Sequence, residues 1–430
     1  MTRTIYALII LLIFSCAAQI NPTEPSAISN PDSTSTAQDT SEFSCLKAPH
    51  PNFKTAAEQM NKVLPLLRNK RVGLVGNHSS LVNGVHLVDT LLSHGVALKR
   101  IFCPEHGFRG KAAAGAIIDD SKDSETGLNI ISLHGKNKKP KLADFKDLDI
   151  ILFDIQDVGA RFYTYISTLH YVMETAAEAG VLVIVLDRPN PNGHYIDGPI
   201  LNDKFQSFIG MHPVPIVHGM TIGEYAQMIN GEGWLENESS CNLSVVPCLN
   251  YTHNTRYTPP IKPSPNLPNA NSVSMYPSLC LFEGTAVSIG RGTDTPFQMY
   301  GHPLLKYRSF SFTPKSRTEA PDPKLAGENC FGLFYTDEMV EMVNNGAMYR
   351  DNTQEKCTVR LLLKPLIDCF KEINASETFF SRPDFFDLLA GSDDLRLQII
   401  EGKSEEEIRN SWTKDLEAYK KMRSSYTIYP

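Results

Sequence analysis

Three short segments concentrate side chains suited to acid–base chemistry or to holding a polar ligand. Pro104-Glu105-His106-Gly107-Phe108-Arg109-Gly110 sets a carboxyl, an imidazole and a guanidinium among glycines, which let backbone and ligand approach closely. Cys103, Pro104 and Phe108 surround Glu105 with apolar groups, a setting that favours a protonated carboxyl. The stretch 154–165 holds Asp154, Gln156, Asp157, Arg161, Tyr163 and Tyr165, so hydrogen-bonding groups alternate with rings that stack on a sugar face. Asp187-Arg188-Pro189-Asn190-Pro191-Asn192-Gly193 adds a further acid in a segment stiffened by prolines. Glycoside hydrolysis asks for such a set: a protonated acid at the leaving oxygen and, as a rule, a second carboxylate for water or direct attack. An N-acetyl sugar offers another route, in which its own acetamido oxygen attacks C1.

Each segment also has a plainer reading. The first is a turn with a solvated ion pair, the third a rigid strand-to-helix connection, and Asp157 a cap for the helix that follows it. Other chemistries lack their residues. No GxGxxG follows the first strand, and there is no GxxxxGK before Ser or Thr, no HExxH and no GxSxG. Nine cysteines include no CxxC pair, so buried free thiols are expected rather than a zinc or redox site. A net charge of −7 supplies no basic face for nucleic acid. No cofactor and no metal are expected.

The segments need elements that bring them together. Apolar spacing predicts helices over 55–67, 86–94 and 166–179, and strands over 71–75, 98–103, 129–133, 149–153 and 181–186. Alternation of this kind predicts an α/β fold, a parallel sheet with helices on both faces. Ligands of such sheets lie outside the carboxyl ends of the strands. Glu105, Asp154 and Asp187 each stand just past a strand and are expected to meet on that edge. The polar stretch 236–250 marks a candidate boundary, followed by Pro-rich, irregular chain to about residue 303. Further elements are expected over 338–345 and 358–374, and a helix over 404–422 opening on a Ser404/Glu407 capping box.

The N-terminus reads as an export signal. Arg3 precedes an apolar run over residues 5–14, too short for a membrane span of about 20 residues but suited to a signal-peptide core. Ile13-Phe14-Ser15-Cys16 resembles a lipobox in which Cys16 is acylated; Cys16-Ala17-Ala18 offers ordinary cleavage instead. Residues 21–44 are rich in Ser, Thr, Pro and Asn and are expected to be a disordered tether. The expected location is outside the cytoplasm, periplasmic or on the outer membrane, with membrane contact only through a lipid anchor.

Seven motifs in order carry a family resemblance: PEHGFRG at 104–110, FDIQDVGARFYTYI at 153–166, LDRPNPNG at 186–193, DGPIL at 197–201, HGMTIGE at 218–224, PSPNLP at 263–268 and LFEGTAVSIGRGTDTPF at 281–297. Over nearly everything after residue 55 the chain resembles the bacterial exo-β-N-acetylmuramidases. The resemblance implies a Rossmann-like catalytic domain (51–240) and a smaller α+β domain (241–430) completing a cleft, after a signal (1–18) and a linker (19–50). It implies release of terminal N-acetylmuramic acid (MurNAc) from peptidoglycan-derived saccharides, with Glu105 as the favoured catalytic residue. Asp154, Asp187 and His106 complete the expected catalytic set. Arg109, Gln156, Arg161, Tyr163, Tyr165, Arg188, Asn190, His218, Asn266, Glu283 and Arg291 form the expected substrate-binding set. The runner-up reading is a lipoprotein that binds muropeptides without cleaving them. Oligomeric state is left open.

Overall fold

Runs of aliphatic and β-branched residues form the strands of the main sheet. The computed structural model describes residues 46–105, 107–109, 120–347, 359–373 and 378–430. The expected signal, tether and Cys16 lie outside them, as does His106. The strands are β1 (Arg71–Gly76), β4 (Ala97–Cys103), β5 (Ser121–Lys122), β6 (Asn129–Ser132), β7 (Ile150–Asp154), β8 (Leu182–Leu186) and β9 (Leu243–Val246); β2 (Leu81–Val82) and β3 (Val85–His86) make a small hairpin. The seven strands lie in the order β5-β6-β4-β1-β7-β8-β9. All neighbours are parallel except β5 and β6. β7 is buried at every position, which explains the unbroken apolar run of IILFD: a parallel strand is covered on both faces.

The chain builds outward from β1 in both directions, to β4 and then to β7. This is a topological switch point, where the crevice of an α/β sheet opens. The helices are α1 (Met60–Leu67), α2 (Leu87–Ser93), α3 (Tyr165–Ala179), α4 (Ile222–Gly231), α5 (Ala270–Leu279), α6 (Asp337–Asn344), α7 (Lys364–Ile373), α8 (Pro383–Ala390), α9 (Asp394–Ile400) and α10 (Glu405–Arg423). Helix α3 ends where Gly180 takes the left-handed conformation (φ 67°) that closes a helix without a Cβ clash. A second, antiparallel sheet of β10 (Met299–His302), β11 (Phe310–Phe312) and β12 (Cys330–Phe334) belongs to the smaller C-terminal part. The fold is thus α/β with a smaller α+β portion, as expected.

Three readings of the sequence need correction. The first helix begins at Met60 rather than at residue 55, because Glu58 accepts from the backbone and hydroxyl of Thr55 and holds a turn there. The polar stretch 236–250 contains β9, so the main sheet takes its last strand from beyond residue 240. The stretch expected to be irregular includes α5, where Asn269 accepts from the backbone N–H of Ser272 and offsets the weak helix-forming tendency of ANSVSMYPSL.

Candidate active site

The carboxyl edge of the sheet carries the residues that the sequence singled out, but they divide into two groups. Asp154 ends β7 and Arg188 follows β8. Arg188 Nε and Nη2 donate to the two Asp154 oxygens at 2.6 and 2.8 Å, with both side chains buried. Asp154 and Arg188 are thus paired with each other, and Arg188 Nη2 also donates to the Leu81 carbonyl (3.2 Å).

Asp187 is also consumed. It accepts from Thr221 Oγ1 (2.7 Å), the Gly223 N–H (2.8 Å) and the Tyr429 hydroxyl (2.5 Å). Burial pushes its carboxyl up to about 7, with the Tyr429 bond opposing that rise and Glu224 adding to it. Through Tyr429 it ties the C-terminal segment to the sheet. Asp157 does not cap α3, whose N-cap is Thr164. It accepts from the Gly159 N–H at 2.6 Å, and its Oδ1 has no partner among the described residues. Burial pushes this carboxyl, too, up to about 7.

Most of the expected binding side chains serve the scaffold. Arg161 is wholly buried and donates to the carbonyls of Pro199 (2.9 Å), Val214 (2.6 Å) and Leu389 (3.0 Å), stapling the sheet edge to α8. Arg109 holds Asp123 (2.7 Å), Asp89 (3.2 Å) and Glu125 (3.1 Å). Gln156 bonds the carbonyls of Asp157 and Pro189, and Asn190 bonds that of Met220. His218 is buried; its Nδ1 accepts from the Met220 N–H, leaving the proton on Nε2, 3.8 Å from Asp157. These positions were expected to touch substrate; the structure gives each of them bonds within the fold and does not bring them to the cavity described next.

The second group faces a cavity of about 120 Å³ beyond the ends of β1 and β4. Glu105, half-buried, lines it together with Tyr163, Tyr165, Asn266 and Arg291 from the expected set. Asp154, Asp187 and Glu283 do not line it. Tyr163 is fixed by its bond to the Pro263 carbonyl (2.8 Å), and the Tyr165 hydroxyl accepts from Asn77 Nδ2 (2.9 Å). Burial raises the Tyr165 hydroxyl well above its ordinary range, and the charge of Glu105 adds to the effect, so the two groups sense one another directly. Arg291 enters between Gly290 (φ 78°) and Gly292 (φ 82°), a turn that side chains resist. Its Nε donates to Glu283 at 2.6 Å, and its guanidinium lies 5.0 Å from the Phe297 ring centroid. Its two terminal nitrogens make no hydrogen bond to the described residues. Glu283 thus acts behind Arg291 rather than on a ligand.

Sequence reasoning missed Asn77, Tyr276 and Phe297, while Phe162 belongs to the ring-bearing stretch it singled out. Tyr276 packs edge-on against Phe162 (5.4 Å), Tyr163 (5.8 Å) and Phe297 (4.9 Å), building the aromatic wall. Asn77 stands just past β1 and obeys the same strand-end rule that found Glu105. Nothing local marks Tyr276, which sits in α5. Among the described residues there is no cluster of three or more metal-ligating side chains.

A switch-point crevice that holds, among the described residues, one carboxyl, aromatic walls and a guanidinium suits an α/β enzyme acting on a sugar. The family models for the exo-β-N-acetylmuramidase NamZ N-terminal and C-terminal domains match residues 72–271 and 274–429, and the chain belongs to that family of glycoside hydrolases. It is 38% identical over 389 residues to the peptidoglycan β-N-acetylmuramidase NamZ of Bacillus subtilis (strain 168), covering 84% of this chain and 88% of the relative. Among solved structures, a DUF1343 family protein from Bacteroides fragilis NCTC 9343 is 44% identical, with a TM-score of 0.78 over 88% of this chain and 99% of its own. A second DUF1343 protein from that organism is 28% identical, with a TM-score of 0.69 over 89% of this chain and 100% of its own.

Proposed function

We propose that this protein is an exo-acting glycoside hydrolase that releases MurNAc from the non-reducing end of peptidoglycan-derived saccharides, with Glu105 as general acid. One observation carries the reading: of the strand-end acids, Glu105 alone faces the aromatic cavity, while Asp154 and Asp187 are spent on Arg188 and on the Thr221, Gly223 and Tyr429 donors. A muropeptide-binding protein has little use for a carboxyl held there.

Glu105 gives its proton to the leaving glycosidic oxygen as the C1–O bond breaks. Tyr163, Tyr276 and Phe297 enclose the sugar ring. No second carboxylate lines the cavity among the described residues, which favours attack at C1 by the substrate's own acetamido oxygen. Among the described residues Arg291 is the one cavity arginine, and its terminal nitrogens suit the lactyl carboxylate that distinguishes MurNAc from N-acetylglucosamine (GlcNAc). Export through the N-terminal signal, with acylation at Cys16, puts the enzyme near its substrate. The test is incubation with MurNAc-GlcNAc and with GlcNAc-GlcNAc. Free MurNAc from the first and no cleavage of the second supports the reading; binding without release makes the protein a receptor.

A further inference from the structure

The segment that presents Arg291 closes around a lysine. Lys324 Nζ donates to the carbonyls of Phe282 and Val287, each at 3.1 Å, and of Thr285, with the Glu283 carbonyl at 3.5 Å. An ammonium has three hydrogens and no lone pair, so these carbonyls enclose it much as they would a metal ion. Carbonyl oxygens that converge without a cation repel one another. The ammonium lets the end of the short 3-10 helix Cys280–Gly284 turn back so tightly. The turn is linked to the cavity through one ion pair: the carboxylate of Glu283, whose own carbonyl faces Lys324, holds the cavity residue Arg291 by its Nε at 2.6 Å. Beyond Arg291 there is no room for a side chain at Gly292, whose Cβ would collide with the Lys315 carbonyl.

We propose that Lys324 is a positioning residue for substrate recognition, its ammonium serving as a built-in cation that fixes the 282–287 turn and with it Glu283, which in turn holds Arg291 toward the carboxylate of the bound sugar. This rests on the reading of Arg291 given above. Burial lowers the Lys324 ammonium to about 8, with Glu283 opposing that fall and Arg382 and Arg291 adding to it. A pKa of about 8 leaves the side chain mostly charged at neutral pH.

The test compares wild type, Lys324→Met and Lys324→Arg on MurNAc-GlcNAc. Removing a charged hydrogen-bond partner predicts a KM about tenfold higher for Lys324→Met, with kcat nearly unchanged. In Lys324→Ala, which vacates the side-chain volume, methylammonium can donate three hydrogens to the carbonyls and should restore KM; tetramethylammonium, with none, should not. Lys324→Arg should not substitute, because a planar fork does not match the ring. An unchanged KM in folded Lys324→Met, or equal responses to the two ammonium ions, overturns the proposal. Should Lys324→Met not fold, the wild type decides: its KM must climb as pH rises through about 8, and a flat KM across that range overturns the proposal. A wild type that releases no MurNAc sinks the functional reading itself and the proposal with it, an outcome distinct from wild-type cleavage that is indifferent to Lys324.

Discussion

Arg188 and Asp154 form a closed, two-bond ion pair inside the sheet edge, at 2.6 and 2.8 Å. Such a pair stabilises only while both members are present. Asp154→Ala should cost roughly 3–5 kcal/mol, because it leaves a buried guanidinium uncompensated. A double change, Asp154→Ala with Arg188→Met, should regain part of that loss. Urea titration of the three proteins checks this. An Asp154→Ala protein of wild-type stability but without activity would return Asp154 to the chemistry.

The arginines should separate by assay. Arg161 bonds three carbonyls in the interior, so Arg161→Lys should lower the melting temperature while the folded fraction keeps its KM. Arg291→Lys should leave stability nearly intact and raise KM for MurNAc-GlcNAc about tenfold or more, since a lysine cannot make the paired bonds a carboxylate receives from a guanidinium. Thermal melts beside Michaelis–Menten curves decide between them. A kinetically silent Arg291→Lys would mean that the lactyl group is read elsewhere.

Asp157 predicts a pH effect of definite sign. Its carboxyl is raised from 3.8 to about 7 by burial. Below about pH 4 both folded and unfolded chains hold the proton and the group costs nothing. Between there and pH 7 only the unfolded chain ionises, so stability falls as pH rises; above about 7 the cost is complete. Asp157→Asn stays neutral and should melt higher than wild type at about pH 8, by an amount that vanishes near pH 4. A gain that grows toward acid would contradict the assignment.

Much of the architecture was legible because it is local. Apolar runs such as IILFD and VLVIVL, and the spacing within 166–179, announce a parallel sheet, and the strand-end rule then points to Glu105. What could not be read is which polar residues pair. Asp154 and Arg188 lie 34 positions apart, and Arg161 reaches Leu389 across 228. Acids that look equivalent in sequence are told apart only by such long-range partners. β9 escaped because a four-residue edge strand beside Asn and Ser resembles a loop, and α5 because Pro277 and two asparagine- and serine-rich turns mask its period.

Cys16 carries a prediction independent of the cavity. Export with acylation should make the mature protein partition into detergent, and Cys16→Ser should release it as soluble protein. Several acyl chains bind membranes firmly where one does not. A mature N-terminus at Ala18 or Gln19 would replace this account with ordinary signal cleavage.

The central claim is that the cavity carboxyl of Glu105 protonates the leaving oxygen. Loss of a general acid typically costs about 10²–10⁴-fold in rate, but only where the leaving group needs a proton. Glu105→Gln should therefore be severely impaired on MurNAc-GlcNAc and retain far more activity on p-nitrophenyl-MurNAc, whose nitrophenolate leaves unaided. Equal and slight losses on both substrates would contradict the claim and place the acid elsewhere.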